Sequence, residues 1–116
     1  MDRREESRVR SKHFNDLKNF ISLISKLSSK EKVAYFKSLK HSQIKLIEEI
    51  SVNLLKENVP IPYSALLLLK NIKQTIRLLA SNKISDIRKR AILCSISGLH
   101  YITVITPYLI KLFTSK

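Results

Sequence analysis

From Ala91 to Ile110 the chain runs for twenty residues (AILCSISGLHYITVITPYLI) without a formal charge, in a sequence whose net charge is +13. Arg88-Lys89-Arg90 leads into this segment and Lys111 closes it. A short basic chain can pack such an end into a helical core, bury it in an assembly or lay it into a membrane. The length matches a membrane-spanning helix. The composition argues against one, because Ser95, Ser97, Gly98, His100, Thr103, Thr106 and Pro107 all dilute it. The expectation is a final apolar helix over 91–113 that packs on the rest of the chain, eased into a bend at Gly98 and broken at Pro107.

One Gly and three Pro are too few for the turns of a sandwich or barrel. The sequence therefore predicts an all-α fold, a compact bundle of four to five short helices. With 116 residues it supports one core and one domain. Residues 1–11 read as a charged flexible arm, and 12–116 as the helical domain. Phe14, Leu17, Phe20, Ile21, Ile24 and Leu27 recur at helical spacing in a first helix. Ser28 and Glu31 form an S-x-x-E capping box for a second, with Val33, Phe36 and Leu39 on its inner face. His41-Ser42 interrupts, with Ser42 as the N-cap of a third helix carrying Ile44, Ile47, Ser51 and Leu54. Asn58 is its expected left-handed cap, and Pro60 and Pro62 prevent continuation. A fourth helix is expected from Tyr63 to Ala80, with Leu69, Ile72, Ile76 and Leu79 inward. Ser85 then caps a fifth, with Asp86 in its first turn.

Charge is distributed unevenly. Residues 1–57 hold thirteen Lys/Arg against eight Asp/Glu, whereas residues 58–116 hold nine against Asp86 alone. A half so short of acids seeks polyanions. Lys70, Lys73 and Arg77 recur at i, i+3, i+7 on one helical stripe, followed by Lys83 and by Arg88, Lys89 and Arg90. Cations so spaced contact successive phosphates and release counterions, which gives binding indifferent to sequence. The same stripe fits DNA, RNA or anionic lipid headgroups. No helix-turn-helix, zinc-finger, aromatic RNA-recognition or glycine-rich phosphate pattern is present to read bases. Tyr63, Tyr101 and Tyr108 have the chemistry to stack on bases, although aromatics at helical spacing more often fill cores.

Nothing in the sequence points to catalysis, a cofactor or a metal. His13, His41 and His100 are far apart, Glu48 and Glu49 are helix neighbours that point in different directions, and no Ser or Cys sits in a nucleophile motif. Cys94 is the single cysteine, expected as a small buried hydrophobe rather than a zinc ligand or half of an internal disulfide. The charged first residues, MDRREESRVR, do not read as a secretory signal, so an intracellular setting is expected.

Over Leu46 to Phe113 the motifs form a recognisable series. An apolar helix ends in Asn58-Val59-Pro60, and a basic helix ends in Leu79-Ala80-Ser81-Asn82-Lys83. The cluster Arg88-Lys89-Arg90 follows, then an apolar tail containing Gly98 and Pro107. This series resembles small basic proteins of Maverick/Polinton-type transposons and adintoviruses, double-stranded DNA elements of animals, which have been likened to the adenoviral minor core peptide. The chain departs from the pattern at Tyr63, where the family carries proline. It departs again at Leu66-Leu67-Leu68-Leu69, where the family is more basic, and at Gly98, where it carries a glycine pair. The resemblance implies a viral or virus-derived DNA core or packaging protein, located in the nucleus or virion. Two other readings stay open at this point. One is a membrane-associated helical protein using the basic cluster and the uncharged tail; the other is a homo-oligomeric scaffold.

Overall fold

The structure, a computed structural model, describes residues 3–114, with side chains from His13 onward. Among the described residues it is all-α: seven helices and one short 3-10 turn, with no strand. The helices are α1 (Arg3–Ser25), α2 (Ser29–Lys37), α3 (His41–Leu55), α4 (Tyr63–Leu69), α5 (Lys73–Ala80), α6 (Asp86–Leu93) and α7 (Ile96–Thr114). Of the arm expected over 1–11, Met1 and Asp2 lie outside the described residues. Arg3–Ser11 is helical and forms the first part of α1. That stretch holds no Gly or Pro and is rich in Arg and Glu, which lose little rotamer freedom in a helix.

The uncharged tail is the centre of the bundle. α7 buries Tyr101, Ile102, Ile105, Thr106, Leu109 and Phe113, an i, i+3/i+4 stripe, and α1 lies along it. Phe14 of α1 meets Phe113 edge to face, ring centroids 5.2 Å apart. By length and mean hydropathy α7 would suffice to cross a membrane, but its apolar stripe is spent on Phe20, Ile21 and Ile24 of α1 and the shared core. Pro107 does not break the helix. It sits on the exposed face, and α7 runs on to Thr114.

Two of the expected helices are each divided. The tail is not continuous with the segment before it: α6 stops at Leu93, and Ser95 starts α7 by accepting the Gly98 N–H on its hydroxyl at 3.1 Å. Gly98 has a different use from the expected bend. A Cβ there would run into the Ile92 carbonyl and lie 2.7 Å from Leu93 Cα, so glycine alone lets the start of α7 cross this close to the end of α6. Cys94, at this corner, is half-buried and donates to the Val33 carbonyl at 3.5 Å. The expected fourth helix likewise tightens into a 3-10 turn at Lys70–Ile72, between α4 and α5.

The caps show where local chemistry suffices. The Ser28 box is present: the Ser28 N–H donates to Glu31 Oε1 at 2.9 Å and the Glu31 N–H to Ser28 Oγ at 3.2 Å. Those bonds also hold the Glu31 carboxyl below its ordinary range. Ser85 caps α6 by accepting from the Arg88 N–H. Two expectations shift by a residue or two. Lys40, not Ser42, is the N-cap of α3, because Gln43 Oε1 takes the Lys40 N–H at 2.8 Å while its amide donates to Tyr35 Oη at 3.0 Å. Glu57, not Asn58, holds the left-handed position after α3, with φ 60°. Asn58 N–H reaches back to Asn53 O at 2.9 Å and Glu57 N–H to Leu54 O at 3.1 Å, the paired bonds of a Schellman motif.

One polar pair crosses the core. Ser51 Oγ donates to Ile47 O at 2.9 Å, so the hydroxyl of fully buried Tyr101 must be the donor in its 2.9 Å bond to Ser51 Oγ. Burial pushes the Tyr101 phenol well above its usual range, opposed by that bond. Tyr101 is therefore a core residue and is not free to stack on a base.

Candidate nucleic-acid interface

Successive residues on a helix are about 100° apart, so Arg88, Lys89 and Arg90 diverge. Arg88 is exposed. Lys89 is buried at 2% accessibility, its Nζ 3.6 Å from Glu48 Oε1 on α3. Lys45 holds the other oxygen, Oε2, at 2.9 Å. Burial raises the Glu48 pKa, but the Lys45 hydrogen bond and the Lys89 and Lys45 charges outweigh it and leave the carboxyl below its ordinary value. Arg90 is half-buried and donates from Nε to the Leu39 carbonyl at 2.9 Å, tying α6 to the link between α2 and α3. Lys89 is thus not a phosphate contact, because an ammonium shut off from water needs its carboxylate. Arg90 is committed in part to the fold. The expected basic knot leaves one fully exposed cation, Arg88.

The stripe on α4 and α5 has the opposite character. Lys70, Lys73 and Arg77 are all exposed. The 3-10 turn sets residues three apart above one another, which brings Lys70 and Lys73 into line. All three line an open groove of about 810 Å³ between the end of α3, the proline-rich link and α4–α5. Lys83 and Arg88 are exposed too but lie outside this groove. None of these five cations makes an ion pair among the described residues. Asp86, the one acid described beyond Glu57, already holds His41: its Oδ2 accepts from His41 Nδ1 at 2.7 Å, which lowers the Asp86 pKa.

The groove wall carries residues that the charge pattern did not point to. Leu55, Tyr63, Leu66 and Leu67 line it and are exposed, Tyr63 at 75%. The signal was available in Leu66-Leu67-Leu68-Leu69, since four consecutive leucines span more arc than a single core-facing stripe covers. Only Leu69 turns fully inward. Tyr108 is half-buried, which leaves Tyr63 as the tyrosine open to a ligand. His13 and His41 each hold a carboxylate, Glu49 at 2.6 Å and Asp86 at 2.7 Å, and His100 contacts the Leu68 carbonyl at 3.0 Å. Among the described residues no three of His, Cys, Asp and Glu converge as a metal site would require. No family model, curated protein or solved structure matches the chain.

Proposed function

We propose that this chain binds nucleic acid through the sugar–phosphate backbone, without sequence preference, using Lys70, Lys73, Arg77, Lys83 and Arg88. The observation that carries this reading is that all five are exposed and make no ion pair among the described residues, in a half of the chain whose single acid is held by a histidine. Unpaired surface cations gain by displacing the counterions condensed on a polyanion. Burial of the α7 stripe favours this reading over insertion of the tail into a membrane. The motif series that resembles Maverick/Polinton and adintovirus core-like proteins supports double-stranded DNA as the nucleic acid, and packaging in the nucleus or a virion as the setting.

The test is duplex DNA binding over a salt series. Neutralising Lys70, Lys73 and Arg77 together should flatten the slope of log K against log salt by roughly 0.9 for each phosphate that is no longer neutralised. Affinity for unrelated sequences should fall in parallel. An unchanged slope in that triple variant would remove the assignment.

A further inference from the structure

Phosphate binding accounts for Lys70, Lys73 and Arg77 but not for the apolar wall beside them. Leu66 and Leu67 are 45% and 51% exposed, Tyr63 stands at 75%, and Leu55 faces them from the end of α3 at 43%. A sugar–phosphate backbone gives these leucines nothing to bury against. We propose that the groove between the end of α3 and α4–α5 is a docking site for an amphipathic helix from a partner protein, with aliphatic residues facing Leu66 and Leu67 and acidic residues flanking them.

Charge complementarity selects this occupant. Three cations and one acid, Glu57, line the groove, so an occupant whose flanks carry carboxylates meets an excess of positive charge from Lys70, Lys73 and Arg77. The same charge balance disfavours a second copy of this chain, since a two-fold contact would set those cations against their own images. The concave form, a cleft of about 810 Å³ between helices, suits a protruding ridge of side chains more than the plane of a bilayer. Helix-in-groove recognition works through such i, i+3/i+4, i+7 anchors.

The probe is a synthetic helical peptide about four turns long, with leucines at i, i+3/i+4 and i+7 and glutamates on both flanks. Its binding to the full chain is measured by fluorescence anisotropy, alongside the same peptide with lysine flanks and one with alanine in place of the leucines. The glutamate peptide should bind, the other two at least about tenfold more weakly. Leu66→Ser/Leu67→Ser should weaken the glutamate peptide by at least about tenfold while leaving the salt slope of DNA binding unchanged. Both leucines are already half-exposed, so circular dichroism should match the parent. Equal binding by the alanine or lysine peptide, or no loss in the Leu66/Leu67 variant, overturns the proposal. So does a dimer in sedimentation, or attachment to anionic vesicles, that the same variant abolishes. Peptide binding that is intact in a chain failing the DNA salt test would sink the DNA reading alone, and the reverse result would sink the groove alone.

Discussion

Two basic segments of this chain carry three cations each, Lys70/Lys73/Arg77 and Arg88/Lys89/Arg90, and the fold uses them in opposite ways. The first lies along one exposed strip of α4–α5. The second splays around α6 and stitches it to α3 through Lys89–Glu48 and to the α2–α3 link through Arg90. Spacing explains the difference. Positions three and four apart on a helix share a face, whereas adjacent positions do not. A cluster that looks denser in the sequence therefore delivers less charge to any one surface.

The strongest way to break the contrast is at Lys89. Lys89→Ala leaves Glu48 with only its exposed partner Lys45, and should cost about 3 kcal/mol in urea unfolding. Lys73→Ala should change stability by no more than about 0.5 kcal/mol. Equal losses in the two variants would erase the distinction. Replacing the pair with Glu48→Leu/Lys89→Met should recover most of the loss, because an apolar pair of similar volume avoids the burial of charge.

Next in size is Arg90. Arg90→Ala removes a charged donor from the Leu39 carbonyl and should cost about 2 kcal/mol, against an undetectable change for Arg88→Ala. The two side chains are two residues apart, so the comparison isolates orientation from charge.

Acid provides a third test. The Glu48 and Asp86 carboxyls are both held below their ordinary values, so each stabilises the fold above its unfolded pKa. That stabilisation should be lost as pH falls below about 4.5 for Glu48 and below about 3.8 for Asp86, through their lower folded values. Unfolding measured from neutral to strongly acidic pH should show this loss, with a shallower acid limb in Glu48→Leu/Lys89→Met. An acid limb unaltered in the double variant would mean that Glu48 contributes nothing to it.

The smallest effect concerns the groove's lower edge. Glu57 occupies a left-handed position at φ 60°, which disfavours a side chain. Glu57→Gly should stabilise by about 0.5–1 kcal/mol and also remove the groove's acid. Peptide affinity should rise with it, and a destabilised variant would contradict the cap geometry.

Much of the fold was legible because helix formation is local. The scarcity of Gly and Pro, the Ser28/Glu31 box and the Ser85 cap each act within a few residues, and each was visible in the sequence. The diluted apolar run of the tail favoured a packed helix while leaving assembly and membrane readings open, and α7 spans Ile96–Thr114. The breaks were not. Ser95 and Gly98 divide the tail because α7 must cross the end of α6 closely, and nothing near Gly98 in sequence announces the Ile92 carbonyl as its neighbour. The start of α3 moved to Lys40 because Gln43 is also bound to Tyr35.

The site divides in the same way. Sequence alone determined that the second half of the chain is basic with one acid, and that Lys70, Lys73 and Arg77 share a face, since both follow from composition and helical period. Only the tertiary structure decided which cations reach water. Period tells which residues point together but not which direction finds a partner, and the direction of Lys89 is set by Glu48, forty-one positions away on α3. The exposure of Leu66 and Leu67 was decided there too, because the packing of α4 on α7 covers Ala65 and Leu69 and leaves the rest of the apolar arc open.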